Sequence, residues 1–215
     1  EIYTLSLHDA LPISSLVTTA RPYDILIGNE ILQTCGEFIR ECIEPCKVCL
    51  VTDSRVNTLY ADTVLKSLKS AGYAPIKVVF PEGEYSKSIT TYANILESMA
   101  EEAFSRSDII IALGGGVVGD ISGFAAATYL RGINYVQIPT TYLAAVDSSV
   151  GGKTGVNLIS GKNLAGAFWQ PSMVICDYST FNTLDESMLL DGASEAIKSG
   201  MIMEKPLIEI GRAHV

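Results

Sequence analysis

Three consecutive glycines, Gly114, Gly115 and Gly116, stand in LGGGVVGD (residues 113–120) between an apolar run and a helix-like ISGFAAATYL. Glycine permits a tight turn and brings backbone close to a ligand where a Cβ would intrude. The helix that follows presents free N–H groups and the positive end of its dipole, which suits a phosphate or pyrophosphate. The same turn can also be built with no ligand, so the motif needs company. Two other patterns could carry chemistry. Lys153 lies in a Gly-Gly-Lys-Thr turn whose glycines allow close approach, although a lone lysine is commonly a solvated surface group. Glu195 and Lys198 are three apart on a helix-like segment and so share a face, where a surface ion pair is the plain alternative to a ligand role.

The elements that must position these residues alternate. Residues 23–27, 47–51, 75–80, 108–113 and 135–139 read as strands. Residues 54–71 read as a helix with Val56, Leu59, Tyr60, Val64, Leu65 and Leu68 at helical spacing, and 89–104 and the stretch to 130 read likewise. Alternation of this kind predicts an α/β fold, a Rossmann-like and largely parallel sheet with right-handed crossovers. Ligands of such sheets gather at the carboxyl ends of the strands. Asp53, PEGEYSK (81–87), the glycine turn and Pro139-Thr140-Thr141 all follow predicted strands, so they are expected along one edge. From Asp185 the chain reads as helical and no strand signal returns, with Asp185 a candidate N-cap.

Taken in order, PEGEYSK, GGGVVGD, PTT, VDSSVGGKT (146–154), GKN (161–163) with AFWQP (167–171), and ASEAIKSG (193–200) resemble the 3-dehydroquinate synthases. These are NAD- and metal-dependent cyclases of the shikimate route, and the likeness runs from about residue 23 to about 204. It implies an NAD-binding domain over 15–184 and, over 185–208, the first helix of a metal- and substrate-binding helical domain that the chain leaves incomplete. It implies cofactor contacts from Asp53, Glu82, Glu84, Lys87, Gly115, Gly116, Val117, Val118, Gly119, Asp120, Thr140, Thr141, Lys153, Lys162, Thr180 and Thr183. An acidic residue after the second strand accepts ribose hydroxyl protons and repels a 2′-phosphate, which favours NAD over NADP.

Substrate contacts are implied for Arg131, Lys153, Lys162, Asn163 and Lys198, and catalytic roles for Asp147, Lys153 and Lys198. Arg131, Asp147, Lys153, Lys162 and Asn163 fall on flanking loops, and three cations, Arg131, Lys153 and Lys162, converging on one cleft of an acidic chain call for an anion, as a phosphorylated, carboxylated substrate provides. Glu195 corresponds to a ligand of a divalent metal, zinc or cobalt, alongside two histidines. Ser194 departs from the small apolar residue usual before that glutamate. The implied reaction is a lyase step, with NAD transiently oxidising a hydroxyl of 3-deoxy-D-arabino-heptulosonate 7-phosphate. Phosphate leaves, and 3-dehydroquinate forms. The implied assembly is a homodimer.

The ends set a limit on this reading. Residues 1–14 and 209–215 resemble translated sequencing-adapter sequence, are expected to be foreign, and should add nothing to the core. His8 and His214, the two histidines of the chain, both fall there. The intervening chain offers one of the three protein ligands a zinc site needs, so this chain alone is expected to be inactive. Another sugar-phosphate cyclase, a metal-dependent glycerol-type dehydrogenase and a non-catalytic NAD-binding fragment are the competing readings.

Composition agrees with a small-molecule protein. The 215 residues are 48% hydrophobic, enough for one substantial core, and a net charge of −9 argues against nucleic acid as a partner. No apolar stretch approaches the roughly 20 residues that span a membrane. Five cysteines suggest a reducing compartment, the cytoplasm. Cys46 and Cys49 form a CxxC, but they sit in a strand-like run, with no second pair to complete a zinc set, and read as small core residues.

Overall fold

The computed structural model describes residues 13–16 and 22–203. Among these the strands are β1 (Ile13–Leu16), β2 (Tyr23–Gly28), β3 (Lys47–Asp53), β4 (Ala74–Phe80), β5 (Ile109–Gly114), β6 (Asn134–Pro139), β7 (Lys153–Leu158), β8 (Gly161–Phe168) and β9 (Met173–Asp177). The helices are α1 (Cys35–Arg40), α2 (Ser54–Val56), α3 (Asp62–Ser70), α4 (Ile89–Glu101), α5 (Gly116–Thr128) and α6 (Glu186–Met203), with a π-helical stretch, Asn57–Ala61, joining α2 to α3. One sheet has the order β1-β2-β9-β6-β5-β3-β4, and β7 and β8 pair as a separate hairpin. All pairings in the large sheet are parallel except the antiparallel β1 on the edge.

The central strands are buried on both sides, as a parallel sheet covered by helices requires. All six residues of β5, IIIALG, are buried, and their side chains alternate between two cores. Ile109, Ile111 and Leu113 pack with Leu50, Phe38, Ile39, Val64 and Leu68 beneath α1 and α3. Ile110 and Ala112 pack with Cys49, Val51, Ile95, Met99, Ile121 and Ala125 beneath α4 and α5, where Val156 of the hairpin joins them. This hairpin was expected as loops; Lys153 through Phe168 instead form two paired strands that lie against α5, because Val156 supplies an apolar anchor.

The topology makes a crevice. From β3 the chain crosses outward to β4, then returns to place β5 on the other side of β3. The connections therefore depart from the carboxyl ends of β3 and β5 to opposite faces, which opens a gap between them. Asp53 ends β3 and Gly114 ends β5.

Three boundaries differ from expectation for local reasons. The helix expected over 54–71 carries the π stretch in its middle. The one expected to 104 ends at Glu101, where Ala103 turns left-handed with φ 51°. β1 contains Ile13 and Ser14, expected to be foreign, paired with Leu26 and Ile25; strand pairing uses backbone groups that any sequence supplies. The rest of the two suspect ends, with both histidines, lies outside the described residues.

All five cysteines are free. Burial pushes the Cys46 thiol up to about 11 and Cys49 to about 12, which suits inert core residues and not a redox pair. No described helix is long and apolar enough to cross a membrane.

Candidate functional site

Two cavities flank the start of α5. The first, about 580 Å³, lies in the crevice between β3 and β5 and is lined by Asp53, Glu82, residues 115–118, Thr140, Thr141 and Thr183 among others. Gly115 is the N-cap of α5 and has no side chain to cap with, so the amides of the first turn are left to whatever occupies this cavity. The turn is tight: a Cβ on Gly114 would stand 2.4 Å from Val118 Cγ2. At the facing wall Thr140, 2% exposed, has a hydroxyl with no partner among the described residues.

Asp53 serves two masters with two oxygens. Its Oδ1 accepts the Arg55 and Val56 amides at 2.9 Å each and caps α2, which leaves Oδ2 for another donor. Burial raises its carboxyl above the ordinary value despite the two amides, and Glu82 nearby adds to the rise. The far wall is laced to the linker before α6. Arg55 Nη2 donates to the Thr183 carbonyl at 3.0 Å, and the Tyr60 hydroxyl meets Thr183 Oγ1 at 2.7 Å. Tyr60 belongs to the π stretch, a distortion common at functional sites.

The second cavity, about 470 Å³, is lined by Asp120, Asp147, Ser148, Lys153, Asn163 and residues of the hairpin. The two come together at Gly116, which lines the first, and Ser148, which lines the second; a Cβ on Gly116 would lie 3.3 Å from Ser148 Oγ. Lys87, buried, donates to Asp120 Oδ2 and to Asn163 Oδ1. Burial raises the Asp120 carboxyl, outweighing Lys87, which pulls the other way. Lys153 and Asp147 stand 3.9 Å apart, both well exposed, so their attraction is weak and both are free to meet a ligand.

The expected cluster is only partly assembled. Lys162 is at the other end of the hairpin from Lys153, 3.8 Å from Glu84, and lines neither cavity. Arg131 follows the last turn of α5, roughly 20 Å of helix away from the glycine turn. The three cations therefore do not converge on one cleft within this chain, because α5 points its carboxyl end away from the strand ends that form the site. Thr180 is fully buried with its hydroxyl on the Asp177 carbonyl at 2.7 Å, so it braces the linker instead of lining a cavity. Gly119 faces β6: a Cβ would stand 2.2 Å from Gln137 Nε2. Glu195 and Lys198 bond to each other on α6.

Several contributors were not visible in the sequence. Arg55, Tyr60 and Asn157 hold or line the site from outside the quoted motifs, and Ser148, within VDSSVGGKT, lines it without having been singled out. Asp177, buried at the end of β9, accepts the amides of Glu30, Leu32 and Ser179; an Asp closing a strand before a Ser-Thr pair was the available signal.

A largely parallel sheet whose switch point carries a glycine turn, an uncapped helix and a strand-end carboxylate defines a Rossmann-like α/β protein. Within that class the chain belongs to the 3-dehydroquinate synthase family, whose N-terminal sequence model matches residues 77–191. It is 48% identical over 190 residues to a 3-dehydroquinate synthase of Streptococcus mutans, covering 88% of this chain and 54% of the relative. It is also similar to a solved 2-deoxy-scyllo-inosose synthase complexed with carbaglucose-6-phosphate, NAD+ and Co2+, with TM-score 0.81, 28% identity, and 87% and 52% of the two chains covered. A 2-epi-5-epi-valiolone synthase from Streptomyces hygroscopicus with NAD+ and Zn2+ bound gives TM-score 0.80 and 27% identity over 94% of this chain and 55% of that one. The chain spans about half the length of the curated relatives it matches.

Proposed function

We propose that this chain is the NAD-binding half of a 3-dehydroquinate synthase, a lyase that converts 3-deoxy-D-arabino-heptulosonate 7-phosphate to 3-dehydroquinate and phosphate. The observation that carries the reading is the uncapped first turn of α5, opening on a glycine-lined cavity that also holds Asp53. The cavity fits a dinucleotide on two counts. Thr140, whose buried hydroxyl has no partner among the described residues, lines it, and Gly115 and Gly116 leave room that a Cβ would narrow against Thr141 and Ser148. The α5 amides would hold the pyrophosphate, Asp53 Oδ2 and Glu82 the adenosine ribose, and Thr140 and Thr141 would add hydroxyl contacts.

Beyond Gly116 the second half of the cofactor would reach the cavity of Asp120 and Lys153. When bound, NAD supplies reversible hydride transfer at a hydroxyl carbon. Lys153 and Asn163 line that cavity and suit a phosphorylated substrate, while Asp147, 3.9 Å from Lys153, can hold or pass a proton at the substrate.

A divalent metal does not fit the described residues by themselves. Glu195 is held by Lys198, and no three His, Cys, Asp or Glu side chains come together among the described residues. α6 is therefore proposed as the opening helix of a second domain that supplies the remaining groups. Its exposed Leu190, Ile197, Met201 and Ile202 support that reading. A cytoplasmic homodimer is proposed for the whole protein.

Calorimetric titration of the chain with NAD and NADP is the test. NAD should bind and NADP should bind more weakly; equal or tighter binding of NADP would remove the role given to Asp53.

A further inference from the structure

Asn157 lines neither cavity, yet it is bonded to Asn163, which lines the second. It sits at an irregularity of the hairpin, where the register between β7 and β8 shifts between Val156 and Leu158. Such bulges re-aim a side chain out of the regular pleat. The Asn157 amide N–H donates to the Lys87 carbonyl at 2.9 Å, making a short parallel bridge with Ser88. Its side chain then works in two directions. Nδ2 donates to Glu84 Oε1 at 2.8 Å, and Oδ1 accepts the Asn163 backbone N–H at 2.9 Å.

The orientation of this amide is dictated by its neighbours. A backbone N–H can only donate and a carboxylate can only accept, so the oxygen must face Asn163 and the nitrogen Glu84. Asn163 is held left-handed, with φ 57°, a conformation that asparagine tolerates better than most residues but that still needs an anchor. That turn delivers Asn163 Oδ1 to the Lys87 ammonium at 2.5 Å, and the same ammonium bonds Asp120. One side chain thus fastens the 84–87 turn and the 161–163 turn to each other.

We propose that Asn157 is a positioning residue, which sets Lys87 and Asn163 against Asp120 and thereby shapes the rim that meets the half of NAD beyond the pyrophosphate. The proposal rests on the NAD reading above. Asn157 touches no ligand; it acts through Lys87 and Asn163. Glu84, outside both cavities, acts as the partner of Asn157 and not as a direct contact of the cofactor.

Three variants of the chain separate this from a general loss of structure. Asn157→Ala removes both hydrogen bonds. It should weaken NAD about tenfold while ADP, held in the first cavity, stays within about twofold. Asn157→Asp keeps an acceptor for Asn163 but sets two carboxylates side by side, so it should bind NAD no better than Asn157→Ala at neutral pH. Combining Asn157→Asp with Glu84→Gln restores a donor opposite the new carboxylate and should recover NAD affinity to within about threefold of the original chain. Unchanged NAD affinity in Asn157→Ala, equal losses of NAD and ADP, or no recovery in the double variant would each overturn the proposal.

Amide hydrogen exchange at Asn163, measured without ligand, keeps this test distinct from the functional reading. The amide should exchange slowly in the original chain, faster in Asn157→Ala, and slowly again in the double variant. If the original chain binds no NAD, the functional reading and the cofactor role of Asn157 both fall, while that exchange pattern still supports the clamp. Exchange that is insensitive to Asn157→Ala overturns the clamp itself.

Discussion

The Lys87 ammonium, with Lys87 only 6% exposed, bonds the Asp120 carboxylate near the start of α5. The two residues are 33 apart in sequence, and their meeting ties the turn after β4 to the helix that follows β5. A lysine this enclosed is tolerable only because the Asp120 carboxylate and the Asn163 side-chain oxygen Oδ1 accept its hydrogen bonds. Burial still raises the Asp120 carboxyl, since moving a carboxylate out of water opposes its ionisation more strongly than one ammonium favours it.

Breaking this pair should be costly in either direction. Asp120→Asn leaves the Lys87 ammonium without its counter-charge and should lower stability by about 3 kcal/mol. Lys87→Met should lower it as well, and the double variant should lose clearly less than the two losses added together. Urea unfolding midpoints of the four proteins form the cycle; strict additivity would show that the two residues do not interact.

Gly116 and Gly119 are both in the glycine motif but should respond oppositely to alanine. Gly119→Ala drives a Cβ to 2.2 Å from Gln137 Nε2, so it should destabilise the fold by about 1–3 kcal/mol. Gly116→Ala brings a Cβ to 3.3 Å from Ser148 Oγ, a tight contact that a small shift of that side chain relieves; it should lower the thermal midpoint much less than Gly119→Ala and weaken NAD. Thermal unfolding and calorimetry on the same two variants decide the matter, and identical behaviour of the pair would contradict the division of roles.

Asp53→Asn separates the cap of α2 from the charge in the cavity. Asparagine caps a helix about as well as aspartate, so stability should fall by less than about 0.5 kcal/mol. Loss of the carboxylate removes the repulsion of a 2′-phosphate, and the preference for NAD over NADP should shrink by about tenfold or more. A variant that kept its full preference would show that another group reads the ribose.

Asp108 gives a pH dependence with a defined sign. Burial alone would raise its carboxyl, but the Ser105 amide at 2.6 Å, the Ser105 hydroxyl at 2.8 Å and the Lys47 amide at 2.9 Å outweigh that and hold it below the ordinary range. Its folded value is lower than its unfolded value of about 3.9. The stabilisation is thus present above that value and is lost as the pH falls through the folded one. Asp108→Asn should cost about 2 kcal/mol near pH 7, and the gap to the original chain should close as the pH falls through the lowered folded value. A gap that persisted unchanged in acid would show that the carboxylate charge contributes nothing.

Much of this architecture could be read from residue order. Uniform apolar runs such as IIIAL mark strands buried on both faces, and helical spacing marks the crossovers; a chain of such units closes as a parallel sheet because few other arrangements bury those surfaces. The same logic put Asp53, the glycine turn and the Thr140-Thr141 pair at one edge, since each follows a strand. Hairpin β7–β8 was not legible. Gly-Lys-Asn, Gly-Gly-Lys-Thr and a run of small residues carry loop signals, and only the docking of Val156 under α5 makes them strands.

What the sequence by itself determined is the set of groups whose position follows from chain order: the strand-end carboxylate, the glycines and the helix that opens on them. What only the tertiary structure decided is which distant side chains meet. Lys87, Asn157, Asn163 and Asp120 come from four separate segments, Arg131 is carried away from the cluster by the length of α5, and Thr180 turns inward to bond Asp177. Periodicity records which face of an element is apolar. It does not record how two loops pack against each other, because that depends on distances the whole fold must set before any hydrogen bond between them can form.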